Sequence, residues 1–311
     1  MNDHAMSRRS FLQTVAAGSA AALLLPNPLK ASVGAKDPLF RISLAQWSLH
    51  RHFFEGKLKA IDFASIAKNK FGIDAIEYVN QFFREEVRNR EWIASLKQRS
   101  DDLGVKNLLI MCDGLGNLGD PDEAKRIQAV ENHFIWVETA KYLGCHSIRV
   151  NAASSGTWDE QLDRAADGLH RLSTFASEHG LNVIVENHGG LSSNGEWLTS
   201  VIRKVDLPNC GTLPDFGNFR VSPTDTYDRY KGVEELMEYA FAVSAKSHDF
   251  DENGNEVHTD YRRIMKIVLD AGYRGYVGIE YEGNGLGEME GIRATQRLLE
   301  TVRNELSPGI I

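Results

Sequence analysis

Four short apolar runs in the second half of this chain each lead directly into a carboxylate or an imidazole. The runs end at Glu186, Asp215, His248 and Glu280, and gaps of 29, 33 and 32 residues separate these ends. A gap of this length holds one strand, one helix and their loops, as in a β-α-β unit. Since parallel strands of such units end at the same edge of a sheet, we expect the four side chains to converge.

The alternation of strand and helix signals begins at Arg41 and continues to the end of the chain. Amphipathic runs with helical spacing separate the strand candidates, and glycines close many of these runs. The eight strand candidates are residues 42–46, 73–78, 105–112, 147–151, 181–186, 211–215, 242–248 and 276–281. Eight strand–helix pairs predict an α/β fold with a single (β/α)8 TIM barrel. An open doubly wound sheet is the alternative, but Gln46-Trp47-Ser48 replaces the glycine-rich phosphate loop that it needs.

Residues 1–35 have the features of an export signal. The segment around Arg8 and Arg9 resembles a twin-arginine signal, and an apolar run follows at residues 15–25. This run is too short to span a bilayer comfortably, and no other stretch is apolar and long enough for a membrane span. We therefore expect residues 36–311 to form the barrel, and we expect a folded, periplasmic protein.

Charge and cysteine content narrow the class of protein further. The net charge is −8 at pH 7, and residues 1–35 contribute +2, which leaves about −10 for the remainder. Such acidity argues against nucleic acid as a partner. Cys112, Cys145 and Cys210 fall in or beside apolar runs without the spacing of a zinc site, so buried free thiols are expected.

Further polar side chains fall at the predicted strand ends, where a TIM barrel carries its chemistry. They are Glu77, Arg149, Asn151, His188, Asn218 and Lys246. Carboxylates held close together raise one another's pKa and destabilise the fold unless a cation accompanies them. A divalent metal ion is therefore predicted, with a hydrogen-bonded network lacking a metal as the alternative.

The sequence resembles the xylose isomerase-like TIM-barrel superfamily over nearly all of residues 41–306. The matching segments are GIDAIEY, VIVENHGG, LPDFGNF, AKSHDF and YVGIEYEG. The resemblance implies that Glu186, Asp215, His248 and Glu280 bind one divalent metal ion. Oxygen-rich ligation with one imidazole favours Mn²⁺, Co²⁺ or Mg²⁺, and Zn²⁺ also binds such a set. The resemblance further implies that Glu186 and Glu280 exchange a proton with the carbon beside a sugar carbonyl.

The remaining rim residues are predicted to bind the substrate. Trp47 offers an indole face for a sugar ring, while Arg149 and Lys246 would hold hydroxyls or a carboxylate. Glu77, Asn151 and Asn218 complete this predicted set. His188 acts either as a second acid or substrate donor, or it orients a metal ligand from behind.

The sequence also departs from parts of this superfamily. At three positions where ketose 3-epimerases carry Glu, His and Arg, it has Ser192, Asn218 and Gly254. Endonuclease IV-like members have many more histidine ligands and a DNA-binding surface, which the acidity of this chain does not match.

The predicted function is therefore a metal-dependent isomerase or epimerase of an unphosphorylated sugar or sugar derivative. One alternative is a lyase that carries out β-elimination on a keto-glycoside or keto-inositol. Another is a carbohydrate-binding barrel without catalysis. The expected partner is a small carbohydrate, and the oligomeric state is left open, a homo-oligomer included.

Overall fold

The computed structural model describes residues 38–307, so the predicted export signal at residues 1–35 lies outside the described residues. Within the described part, the strands are β1 (Arg41–Ala45), β2 (Ala75–Val79), β3 (Lys106–Met111), β4 (Ser147–Val150), β5 (Asn182–Glu186), β6 (Cys210–Leu213), β7 (Arg220–Ser222), β8 (Asp225–Thr226), β9 (Val243–Ser247) and β10 (Tyr276–Tyr281). The α-helices are α1 (His50–Phe54), α2 (Phe63–Phe71), α3 (Arg90–Asp102), α4 (Glu123–Leu143), α5 (Trp158–Glu178), α6 (Gly195–Val205), α7 (Arg229–Leu236), α8 (Tyr261–Asp270) and α9 (Glu288–Leu306).

Eight of these strands form one curled parallel sheet in the order β6-β5-β4-β3-β2-β1-β10-β9. Each of the eight overlaps one predicted strand, and an α-helix separates most consecutive pairs. The predicted (β/α)8 barrel is confirmed, because the helices cover the outside of a sheet whose strands are buried on both faces.

The two ends of the sheet, β6 and β9, meet just beyond the end of β6. Pro214 has no N–H to donate, but its carbonyl accepts a hydrogen bond from Ser244 N at 2.9 Å. The Ser244 carbonyl in turn accepts from Phe216 N at 3.1 Å, and Phe241 N donates to the Thr212 carbonyl at 3.1 Å. These bonds close the barrel between β6 and β9.

Strand alternation sorts the side chains into two apolar groups. The larger group packs between the sheet and the helices and includes Val183 and Val185 of β5. A smaller group, which includes Ala45, Leu109 and Ile184, fills the inside of the barrel. The residue that follows Ile184 on the inner face is Glu186, so alternation directs that carboxylate into the barrel.

The loops agree with the expected helix ends. Gly144, for example, follows α4 with φ of 81°, the left-handed conformation that a side chain disfavours, and it turns the chain towards β4. The two-stranded hairpin of β7 and β8 and the short helix α1 were not predicted. Cys112, Cys145 and Cys210 are buried free thiols, as expected. None of the helices in residues 38–307 is both long and apolar enough to cross a membrane.

Candidate functional site

Three of the predicted metal ligands meet inside the barrel. Glu186, Asp215 and Glu280 each offer a carboxylate oxygen within 4.8 Å of the other two, and all three residues are at most 2% exposed. We call these three residues the carboxylate cluster. Their oxygens are close enough together to hold a divalent metal ion.

The barrel geometry explains why these carboxylates converge. Glu186 is the last residue of β5, Glu280 lies near the end of β10, and Asp215 follows β6 at the closure of the sheet. Ser244 Oγ, on β9, lies 2.7 Å from Asp215 Oδ2 and 3.2 Å from Glu280 Oε2, so its single O–H is shared between the two carboxylates. One serine thus connects the two carboxylates that flank β9.

The backbone around Asp215 holds its carboxylate rigidly. Oδ1 accepts hydrogen bonds from Gly217 N at 2.8 Å and from Asn218 N at 2.9 Å. The Asn187 side chain accepts from Asp215 N at 2.7 Å and donates to the Asp215 carbonyl at 3.0 Å. Asn218 Nδ2 also donates to Glu186 Oε1 at 2.8 Å, so this predicted substrate residue contacts the carboxylate cluster.

Lys246, predicted to bind substrate, lies against the carboxylate cluster. Its Nζ donates a hydrogen bond to Glu280 Oε1 at 2.6 Å and lies 3.2 Å from Glu282 Oε2 and 4.0 Å from Asp215 Oδ2. The lysine is 2% exposed. Burial alone would lower the pKa of Lys246, but the charges of Glu280 and Asp215 raise it well above its usual value.

Arg149, on β4, is a second buried cation and meets the carboxylate cluster at Glu186. Its Nε lies 2.7 Å from Glu186 Oε2, and its Nη1 donates to Asp113 Oδ1 at 2.7 Å. Asn151 Nδ2 donates to the same oxygen of Asp113 at 2.7 Å. Arg149 and Asn151, both predicted at the end of the fourth strand, therefore belong to one network that positions Glu186.

Burial changes the acidity of several carboxyl groups here. Burial raises the pKa of Glu186 to about 8, against the lowering effect of Arg149. Burial likewise raises the pKa of Asp215. Glu77, the predicted residue on β2, is also buried, and its pKa is raised to about 7 although Ser43 donates a 2.6 Å hydrogen bond to it. A carboxyl group with a pKa near neutrality can both give and take protons.

His248 does not join the carboxylate cluster, in contrast to the set implied by the resemblance. Among the described residues, the compact group of ligand atoms contains only the three carboxylates. His248 follows the end of β9, is half-buried, and faces His258 with ring centroids 5.9 Å apart. It lines a cavity of about 400 Å³ together with Gly217, Asp249 and other residues. This cavity adjoins the carboxylate cluster at Gly217, whose N–H donates to Asp215 Oδ1 at 2.8 Å.

Two further predicted residues lie at the rim. His188 is exposed, and its backbone N–H donates to Ser192 Oγ at 3.0 Å. The indole of Trp47 stacks on His50 and Phe82, with centroid distances of 4.9 and 6.0 Å, and its N–H donates to Glu282. Trp47 thus orients a carboxylate that also contacts Lys246.

The predicted metal ion fits the carboxylate cluster by distance but conflicts with Lys246. An ion bound by the cluster would lie about 2 Å from an oxygen of Glu280. Lys246 Nζ lies 2.6 Å from that side chain, so two cations would stand within a few ångströms of each other and repel. Because His248 also lies apart, these residues do not fit the four-ligand metal site that the resemblance implies.

Three residues of this site were missed in the sequence. Asp113 follows the third predicted strand, so the rule that selected the other strand ends would have found it. Glu282 lies two residues beyond Glu280 in a segment already singled out. Ser244 had no such signal, because it lies within a strand and its role depends on how the barrel closes.

Comparisons with known proteins agree with the architecture. A structure of 3-keto-D-glucoside 4-epimerase from E. coli superimposes with a TM-score of 0.63 at 16% identity, covering 78% of this chain and 94% of that one. A zinc-bound structure of the IOLI protein gives a TM-score of 0.67 at 15% identity, covering 87% of this chain and 100% of that one. These likenesses are of fold.

One curated protein matches in sequence over a short segment. The C-glycoside deglycosidase alpha subunit of Arthrobacter globiformis is 35% identical over 79 residues, which are 24% of this chain and 22% of that protein. The chain therefore spans about a fifth of this relative's length. The family model described as Xylose isomerase-like TIM barrel matches residues 63–302. With most of its length covered by that model, the chain belongs to the xylose isomerase-like TIM barrel family.

Proposed function

We propose that this protein is an isomerase or epimerase of an unphosphorylated sugar or sugar derivative, acting by proton transfer beside a carbonyl. The observation that carries the proposal is the carboxylate cluster: Glu186 and Glu280 are buried at the C-terminal ends of strands on different sides of one small space. This is the end of a TIM barrel at which enzymes of this fold carry their chemistry.

The surroundings of the cluster support a small polar substrate. The adjoining cavity of about 400 Å³ is within the size range of small-molecule sites. Polar side chains, among them Arg229, Asp249 and Asn284, line this cavity and can bind hydroxyl groups. The similar E. coli structure is named for a 3-keto-glucoside epimerase, which supports a keto-sugar as the substrate class.

The proposed reaction uses the two glutamates as acid and base. One carboxylate removes the proton from the carbon beside the carbonyl, and the C–H electron pair forms the double bond of an enolate. The proton returns to that carbon from the other side in an epimerase, or to the neighbouring carbon in an isomerase. The raised pKa of Glu186, about 8, suits a group that carries a proton at neutral pH.

A lyase is the second candidate, and one observation favours it. The curated sequence relative is named as a subunit of a C-glycoside deglycosidase. The same enolate would then expel a leaving group in the β position instead of taking back a proton. Both candidates share the deprotonation and differ in the mass of the product.

The test is incubation of the purified protein in D₂O with a panel of 3-keto-glycosides and free ketoses. Deuterium uptake of 1 Da without cleavage supports the epimerase or isomerase, and release of the aglycone supports the lyase. Glu186→Gln should lower the exchange rate about 100-fold or more. The control Glu196→Gln, at an exposed position on α6, should leave the rate unchanged. Absence of exchange with every substrate of the panel would contradict the proposal.

A further inference from the structure

The carboxylate cluster already contains a positive charge that belongs to the chain. Glu280 and Lys246 are direct neighbours in the register of β10 and β9. The ammonium group lies 2.6 Å from Glu280, 3.2 Å from Glu282 and 4.0 Å from Asp215, inside the barrel. Lysine is rarely buried this deeply, because removing its charge from water is costly unless carboxylates pair with it.

We propose that the ammonium group of Lys246 is the resident cation of this site and takes the position of the divalent metal ion that the sequence resemblance implies. Lys246 lies against Glu280 and Asp215, and Arg149 lies against Glu186, so cations of the chain itself reach all three carboxylates. No metal ion is then required to hold the cluster together.

The backbone is adapted to this lysine. A Cβ on Gly217 would lie 2.7 Å from Lys246 Cγ and 3.2 Å from its Cβ, which is too close for a side chain at residue 217. The glycine therefore leaves the space through which the lysine stem passes. Because Cγ lies near the base of the lysine side chain, moving it away from residue 217 would also move the ammonium group away from Glu280.

The register of β9 explains why a lysine and not His248 reaches the cluster. Residues 244, 246 and 248 follow the same alternation, and Lys246 is the one level with Glu280. His248 lies two residues farther along, beyond the end of β9 and beside the cavity. The imidazole would lie about 7 Å above the lysine level along a regular strand.

Lys246 has a role in the reaction that rests on the proposed function. Glu280 and Glu282 occupy at most two of the three N–H donors of the ammonium group, which leaves one for a substrate carbonyl oxygen. When a carboxylate removes the neighbouring C–H proton, the carbonyl π pair moves to that oxygen, and the ammonium hydrogen bond stabilises the enolate charge. The lysine keeps its protons throughout, so the step needs no oxidant or other reactant.

The first experiment measures metal content and does not depend on any substrate. Full-length protein is equilibrated with Mn²⁺, passed through a desalting column, and analysed for metal, and its Tm is recorded with Mn²⁺ and with EDTA. We expect well below about 0.1 metal ion per chain and the same Tm in both solutions. About one Mn²⁺ per chain, with a Tm raised by several degrees, would overturn the proposal.

The second experiment converts the lysine into a metal ligand. Lys246→His places an imidazole level with Glu280, and we expect this variant to bind about one Mn²⁺ per chain and to gain about 5 °C or more in Tm. Lys266→His, on the exposed face of α8, is the control and should gain neither. A folded Lys246→His variant that does not bind Mn²⁺ would overturn the proposal that Lys246 takes the position of a metal ion. If the histidine variant does not fold, Lys246→Met removes the competing charge and keeps the volume of the side chain, and it should then bind Mn²⁺ through the three carboxylates alone.

Activity separates this proposal from the proposed function. Deuterium exchange that survives EDTA in the wild-type protein supports both. If EDTA abolishes the exchange and Mn²⁺ restores it, the proposed enzymatic function stands and the proposed role of Lys246 is wrong. If the wild-type protein binds no metal and exchanges no substrate proton, but Lys246→His binds Mn²⁺, Lys246 is the resident cation and the proposed enzymatic function is wrong.

Discussion

Lys246 and Glu280 lie opposite each other on adjacent parallel strands, with Nζ of the lysine 2.6 Å from Oε1 of the glutamate. Arg149 and Glu186 form a second buried pair at 2.7 Å. Two cations of the chain thus lie against the three carboxylates of the cluster. In proteins generally, the removal of one member of a buried pair leaves the other uncompensated and costs about 3–5 kcal/mol.

Arg149→Met tests the effect of losing one of these cations. We expect the substitution to lower the free energy of unfolding by about 3 kcal/mol or more, because Asp113 loses its ion pair with Arg149 and Glu186 loses the same cationic neighbour. Arg171→Met is the matched control: its ion pair with Asp167 is exposed, and such pairs contribute about 0–1 kcal/mol. Urea denaturation followed by circular dichroism gives both values. Equal losses of unfolding free energy in the two variants would contradict a stabilising role for the buried ion pairs of Arg149.

Glu77→Gln should stabilise the protein in alkaline solution. Burial raises the pKa of Glu77 from 4.5 to about 7. The folded state therefore binds this proton more tightly than the unfolded state, and the contribution of Glu77 to stability falls as the pH rises from about 4.5 to about 7. The glutamine variant lacks that loss and should be more stable than wild type by about 3 kcal/mol near pH 8.

The pH dependence of the same comparison provides the control. Near pH 4 the carboxyl group is protonated in both states, so wild type and Glu77→Gln should have similar unfolding free energies. Glu91→Gln, at an exposed position on α3, should show no such divergence between the two pH values. A constant difference between wild type and Glu77→Gln from pH 4 to pH 8 would contradict the raised pKa.

Glu288 anchors the segment that carries Trp47. This carboxylate is 1% exposed at the start of α9 and accepts hydrogen bonds from Arg51 N at 2.7 Å and His52 N at 3.2 Å. Glu288→Ala leaves these donors unsatisfied and should cost about 2–4 kcal/mol, measured as a shift in the urea midpoint. Glu290→Ala, exposed on the same helix, should change stability by less than about 0.5 kcal/mol.

The sequence was sufficient for the architecture because each strand and helix has its own local signal. Apolar runs of strand length gave all eight barrel strands, and Glu186, Asp215 and Glu280 follow from their positions at the ends of three of them. The short strands β7 and β8, with three and two residues, were missed since so few residues carry no periodic pattern.

The sequence was insufficient where the site depends on register. Lys246 and His248 are two residues apart on one alternating face, and both suit a polar rim. Only the pairing of β9 with β10 shows which of them is level with Glu280. The prediction extended the strand to His248, whereas β9 ends at Ser247. The role of Asp113 also depends on a contact between two strand ends, which no single segment reveals.

The closure of the barrel has a consequence for its breathing motions. β6 and β9 are joined by isolated bridges at Thr212–Ala240 and Asp215–Ser244, whereas β9 and β10 share a continuous ladder. Transient opening of this joint would admit water directly to Asp215, and hydration of that charge would favour the open state. Asp215 therefore lies at a joint that few backbone hydrogen bonds hold, so a ligand that contacts both Asp215 and Glu280 would link the two sides of this joint and stabilise the closed barrel.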